Sequence, residues 1–306
     1  MSEPQPHSAE YFGETRDHWW NDDFLDLMAR RWRLDEVRTA LDLGSGLGHW
    51  TRLVGPRLHP EATILGIDGE QAWVLGACAI AARRGESERY AFQLGDVTKR
   101  LPFEDGTFDL VTCQTVLIHV PDPAAVVAEM ARVTKPGGLV AVAEPNNLAA
   151  CTLLDTETFG APAEEIIALA RFQLVCERGK AALGEGNNSV GGLTPAFFAA
   201  AGLEAITVHL SDKGTLLLPP YASAEAKAER AEITDRAAKD QFWWDRALTT
   251  RYFAAGGGDE NELDALFAMG RRTLARVVAA MDRGTYVSAG GGLSYLVAGR
   301  VPAARC

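Results

Sequence analysis

Apolar positions along this chain switch repeatedly between two patterns. Short runs of consecutive apolar residues are followed by stretches in which apolar residues recur every three or four positions. That alternation predicts parallel strands separated by helices. Val37, Ala40, Leu41 and Leu43 read as the first buried strand, and Leu47, Trp50, Thr51, Val54 and Leu58 as the helix after it. A second strand is expected over 62–67, with a helix over 71–84 that carries Trp73, Val74, Ala77, Ile80 and Ala81 inward. Strands three and four are expected over 90–94 and 108–113. Asp122 as N-cap and Pro123 at the first helical position then announce a helix over 124–134, with Val126, Val127, Met130 and Val133 facing in. It stops at Lys135, Pro136, Gly137 and Gly138, before a fifth strand over 139–143.

The ends of the chain fit the same scheme less regularly. Phe24, Leu27, Met28 and Trp32 have the spacing of a helix ahead of the first strand. After a helix over 155–180 comes GEGNNSVGG, read as a linker or hinge, and then a short helix and sixth strand within TPAFFAAAGLEAITVHL. GGLSYLVAGRV is a plausible seventh strand. The intervening residues 212–290, rich in Ala, Glu, Lys and Arg, predict helices. They hold an aromatic group at Phe242, Trp243, Trp244, Tyr252 and Phe253, and an apolar stripe at Leu263, Leu266, Phe267, Leu274, Val277, Val278 and Met281.

Candidate chemistry gathers at the strand ends. Gly44, Gly46 and Gly48 sit between the first strand and its helix, where missing Cβ atoms let a nucleotide-like ligand approach the backbone and the helix start offers N–H groups. A dinucleotide fingerprint would place its third small residue at 49, which is His49. Asp68, followed by Gly69, ends the second strand 20 residues after Gly48, where a carboxylate can clamp ribose hydroxyls or cap the next helix. A nicotinamide enzyme would carry an acid there too. The third strand runs into Gly95, Asp96 and Val97, a ligand contact or a plain turn.

Composition narrows the function classes. Of 306 residues, 47% are hydrophobic and 23% charged, as in a soluble globular protein. No apolar run is long enough to span a bilayer, and the polar beginning is no signal peptide, so a cytoplasmic location with no membrane partner is expected. Five scattered cysteines without a C-x-x-C pair indicate neither a disulfide framework nor a metal site. A net charge of −11 without a basic, aromatic-interleaved stretch argues against nucleic acid.

Taken together, LDLGSGLG with Asp42 two residues before its first glycine, then GID, GD, PFEDGTFDLVTCQTVLIHVPDP and EMARVTKPGG, resemble the class I S-adenosylmethionine (SAM) methyltransferases of the broad group that includes quinone-biosynthesis enzymes. The resemblance covers roughly residues 37–145. It implies a Rossmann-like α/β fold: a seven-stranded, mostly parallel sheet whose last strand is antiparallel beside the sixth. The expected organisation is an N-terminal helical flap (1–36), a SAM-binding domain (37–211 with 291–306) and a helical cap insertion (212–290).

The resemblance also implies roles. Asp68 would hold the ribose, Asp96 the adenine amine and the Val97 amide the adenine ring. The methionine tail would lie over Gly44 to Gly48, with backbone near Cys113 and Gln114 accepting from its ammonium. Tyr11, Phe12, His18, Trp19 and Trp20 fall where such enzymes close a flap over the cofactor; Tyr11 and Trp19 are the expected pocket residues, and a packed aromatic face is the alternative. Many relatives carry paired histidines after the fourth strand, whereas this chain has Ile118 then His119. His119 is the candidate base for an acceptor that must lose a proton. Glu144, at the end of the fifth strand, could bind a cationic amine, act as a base, or cap a turn.

SAM is therefore the expected cofactor, and a small molecule the expected acceptor. The insertion would wall the acceptor pocket or form the face of a homodimer. Aromatic lining suits a planar or cationic acceptor and favours O- or N-methylation. Transfer to sulfur or carbon, a nicotinamide-dependent oxidoreductase, and a fold kept only for binding stand as alternatives. The oxidoreductase lacks an evident Tyr-x-x-x-Lys pair.

Overall fold

The computed structural model describes residues 14–239 and 241–303. Among these lie seven strands: β1 (Thr39–Leu43), β2 (Thr63–Asp68), β3 (Tyr90–Leu94), β4 (Phe108–Gln114), β5 (Thr134–Pro145), β6 (Glu204–Leu210) and β7 (Ser294–Arg300). The helices are α1 (Asp22–Trp32), α2 (His49–Val54), α3 (Gln71–Arg84), α4 (Pro123–Val133), α5 (Asn147–Ala150), α6 (Ala163–Ala182), α7 (Thr194–Ala200), α8 (Ala224–Ala238), α9 (Arg246–Ala255) and α10 (Glu260–Asp282).

The strands form one sheet in the order β3-β2-β1-β4-β5-β7-β6. Pairings among β1 to β5 are parallel, and β7 runs antiparallel to both β5 and β6, as the resemblance implies. Leu41, Leu43, Val111, Val140, Val142 and Val297 form a core with Val126, Val127 and Met130 of α4 and Phe198 of α7. At the opposite end of the strands from the glycine turn, Asp109 ties three of them together. Its Oδ2 accepts from the Arg38 and Thr39 amides at 3.1 and 2.9 Å, and its Oδ1 accepts from Lys135 Nζ at 2.7 Å.

Several boundaries move for identifiable reasons. α2 stops at Val54 and gives way to a tighter 3-10 turn, Gly55–Arg57, because Pro56 has no N–H for the helical ladder. β5 begins at Thr134, not Leu139: Thr134 already pairs with Phe108, and the Lys-Pro-Gly-Gly segment passes through the strand as an irregularity before Leu139 pairs with Leu110. The glycine-rich stretch after α6 is packed backbone. A Cβ on Gly186 would lie 2.2 Å from the Ile118 carbonyl oxygen, and one on Gly191 would lie 2.4 Å from that of Glu144.

Two compact units make up the chain. The unit comprising residues 22–147, 184–211 and 293–306 carries the sheet with α1 to α4 and α7. The other comprises residues 1–21, 148–183 and 212–292 and is helical. Within it Phe172 and Cys176 of α6 pack with Trp244, Tyr252, Phe253, Leu263, Leu266 and Phe267, so these aromatics are core. α6 and α9 approach closely because a Cβ on Gly179 would sit 1.7 Å from the Tyr252 carbonyl oxygen. A second cluster joins Leu217, Tyr221 and Ala226 to Val277, Ala280, Met281 and Tyr286.

Candidate cofactor site

Sheet order reverses between β1 and β4, which are neighbours although β2 and β3 intervene in sequence. The register aligns their ends: Leu43 faces Ile67 and Cys113, Asp68 faces Leu94, and Gln114 faces Ala143. In open parallel sheets such a reversal leaves a crevice at the carboxyl ends of the strands, where ligands bind. Five strand ends and their loops meet there.

The glycine turn crosses this crevice. Gly44 and Gly48 have φ of +60° and +78°, a region costly for other residues. Their missing Cβ atoms are also required for packing: one on Gly44 would come 2.5 Å from Val116 Cγ2, and one on Gly48 2.7 Å from Phe92 Cζ. The turn is tied down by the Ser45 amide donating to Ile67 O at 3.0 Å and the Gly46 amide donating to Asp68 Oδ2 at 2.8 Å. Beneath it Asp42, 1% exposed, accepts from the Thr51 hydroxyl at 2.5 Å, fastening α2 to β1. Trp50 Nε1 donates to Thr112 Oγ1 at 2.9 Å and anchors the same helix on β4.

The two acids at the neighbouring strand ends have distinct surroundings. Asp68 Oδ1 accepts from the Glu70 amide at 2.9 Å, while the first turn of α3 has no side-chain cap, so Asp68 holds loops and caps no helix. Gly69 beside it is exposed, and the Gly95 amide donates to the Asp68 carbonyl at 2.9 Å. Asp96 is exposed and shaped by its own turn: Oδ1 accepts from the Thr98 hydroxyl and amide at 2.6 and 2.9 Å, and Oδ2 from Lys99 Nζ at 3.1 Å. The Thr98 bonds, helped by Lys99, hold its carboxyl below the usual range. Val97 is half-buried against the sheet core.

On the β4 side, Gln114 is 3% exposed, and its side-chain oxygen and nitrogen have no hydrogen-bond partner. The Ser45 hydroxyl in the turn is likewise buried and unpartnered. Buried polar groups left unpaired cost free energy, so this side of the crevice holds two polar groups with unmet hydrogen-bonding capacity. Thr115 follows at φ +54°, a strained turn held by its amide donating to Ala143 O at 2.9 Å.

Glu144 lies wholly buried below that turn. Its Oε1 accepts from the Val116 and Leu117 amides at 2.9 and 3.0 Å and from the Cys113 thiol at 3.6 Å, while Oε2 has no partner. Burial pushes its carboxyl up to about 7 against the downward pull of these bonds. His119 ends the short 3-10 turn Leu117–His119 and is exposed. Trp19 belongs to the helical unit, with the Arg16 guanidinium 5.4 Å from its ring centroid, and Tyr11 and Phe12 lie outside the described residues. Ser45, Thr115 and Val116 escaped the sequence reading. No residue-type signal marks them, since their importance comes from burial and backbone geometry.

Among the described residues no group of His, Cys, Asp and Glu could hold a metal ion, and no helix is long and apolar enough to cross a membrane. Residues 34–181 match a family model described as a methyltransferase domain. This stretch is a class I methyltransferase domain. It is 41% identical over 118 residues to an uncharacterized methyltransferase of Schizosaccharomyces pombe, covering 36% of this chain and 41% of the relative. To a demethylmenaquinone methyltransferase of Halalkalibacterium halodurans it is 36% identical over 116 residues, covering 38% and 46%. The chain thus spans less than half the length of these relatives. The solved structure of the YcgJ protein from Bacillus subtilis shares the fold, with a TM-score of 0.52 at 19% identity, covering 92% of this chain and 99% of that one. The domain family implies SAM as the cofactor. The bare turn and the unpaired Gln114 and Ser45 groups fit a ligand with a polar, charged tail.

Proposed function

We propose that this protein transfers the methyl group of SAM to a small-molecule acceptor, at oxygen or nitrogen. The observation that carries the reading is the juxtaposition of the glycine turn, held by Asp68, with the buried, unpartnered Gln114 amide across the β1/β4 reversal. In this reading Asp68 has lone pairs left for the ribose hydroxyls after accepting the Gly46 and Glu70 amides. Asp96, ionised and exposed at the next strand end, accepts from the adenine amine, and the Val97 amide donates to the ring. The methionine tail runs over Gly44 to Gly48, with its ammonium and carboxylate satisfied near Gln114 and Ser45.

The bound cofactor supplies a methyl carbon already activated by its sulfonium. The protein's own contribution is then positioning and exclusion of water. In this reading, where the acceptor is a phenol, His119 is the general base that takes its proton. The demethylmenaquinone for which one relative is named favours a planar acceptor.

The test is turnover of methyl-labelled SAM by the full chain against a panel of phenols, amines, carboxylic acids and thiols. Label appearing on oxygen or nitrogen, in phenols, carboxylic acids or amines, supports the reading. Label in thiols or carbon alone changes the acceptor class, and no transfer to any acceptor contradicts it.

A further inference from the structure

We propose that Glu144 is a positioning residue for the cofactor turn: by accepting from the Val116 and Leu117 amides, its carboxylate fixes where the Val116 side chain rests against Gly44. The inference rests on the functional reading above, and it gives Glu144 a role other than catalytic base.

The chain of contacts is short and continuous. Glu144 has 0% exposure, so its Oε1 is committed to the two amides and the Cys113 thiol. Those amides belong to the segment that leaves β4 through the left-handed Thr115, a backbone conformation that needs outside support to persist. Val116, the next residue, occupies the space a side chain on Gly44 would take, with its Cγ2 2.5 Å from that Cβ position. Moving Val116 therefore moves the floor of the glycine turn. The glycine-rich segment acts as a backstop for both partners, because Gly191 lies against the Glu144 carbonyl and Gly186 against that of Ile118. Val190 between them is 2% exposed and joins the sheet core. One side-chain oxygen here satisfies two buried amides at once, which an apolar side chain cannot do.

The experiment compares wild type with Glu144→Gln and Glu144→Ala, using calorimetric titration with S-adenosylhomocysteine and site-resolved amide hydrogen exchange on the full chain. Gln keeps an oxygen acceptor at the same reach; Ala has none. Expected are S-adenosylhomocysteine binding within about threefold of wild type for Gln and weaker by about tenfold or more for Ala. Exchange at the Val116, Leu117 and Gly48 amides is expected to rise by about tenfold or more in Ala and little in Gln. Equal loss in both variants, or normal binding and exchange in Ala, overturns the proposal. Should Glu144→Ala fail to fold, Val116→Ala removes the contact with Gly44 while keeping Glu144. It is expected to weaken binding with the Leu117 amide still protected, and unchanged binding overturns the proposal. If wild type binds no S-adenosylhomocysteine, the functional reading fails, and exchange at Gly48 still decides whether Glu144 sets the turn.

Discussion

Asp68 accepts the amide hydrogen of Gly46 at 2.8 Å, so the acid that ends β2 also holds the glycine turn that follows β1. On the proposed function, replacing it removes a ligand contact and a strut together. Asp68→Ala is expected to weaken S-adenosylhomocysteine binding by about a hundredfold, the loss of two charge-assisted bonds. Asp68→Asn, which keeps an acceptor for Gly46, should lose less. Isothermal titration checks the order; equal affinities for Asn and Ala would remove the strut from the account.

Gly48 tests the turn from the steric side. Gly48→Ala places a Cβ 2.7 Å from the Phe92 ring at a φ of +78°, adding a clash to a backbone penalty of about 1 kcal/mol. A total destabilisation of about 2–4 kcal/mol is expected in denaturant unfolding. Phe92→Leu in the same chain should recover the steric share and leave the backbone share.

Much of the sheet was legible because its parallel strands are short, mainly apolar runs, the first three running into Gly or Asp. Order and direction beyond β5 came only from the family resemblance. The early start of β5 was hidden because Lys-Pro-Gly-Gly reads as a stop, yet Thr134 pairs with Phe108 before it. Gly186 and Gly191 read as a flexible linker because sequence cannot show that their missing side chains admit the backbone of residues distant in the chain. Glu144 was recognisable as an acid at a strand end. Whether such an acid faces a ligand or sits beneath a loop depends on the path of residues 115–119, which no local pattern specifies.

Glu144 also gives stability a pH dependence of known sign. Its carboxyl titrates near 7 in the fold, pushed up by burial, against about 4.3 when unfolded. Between those values the folded chain binds the extra proton, so this group's contribution to stability falls as pH rises through the window and levels off above it. The titratable side chains around it are Cys113 of β4, with Asp42 behind it, and Tyr295, its partner in register on β7. Glu144→Gln removes the titration. Its unfolding free energy relative to wild type should climb from pH 4.5 to about 7 and then stay level, by at most about 4 kcal/mol. A difference independent of pH would contradict the assignment.

His119 is exposed at the end of its 3-10 turn, and its removal should leave the cofactor crevice intact. With a protic acceptor, His119→Ala is expected to lower kcat by a factor of about 10² to 10⁴ with S-adenosylhomocysteine affinity nearly unchanged. Unchanged turnover would remove the base.

The most direct measurement is a crystal structure of the full chain grown with S-adenosylhomocysteine. The account predicts the ribose hydroxyls on Asp68, the adenine amine on Asp96 and the amino-acid tail between the glycine turn and Gln114. A crevice left empty at saturating ligand, or a ligand bound with both acids turned away from it, would contradict the account.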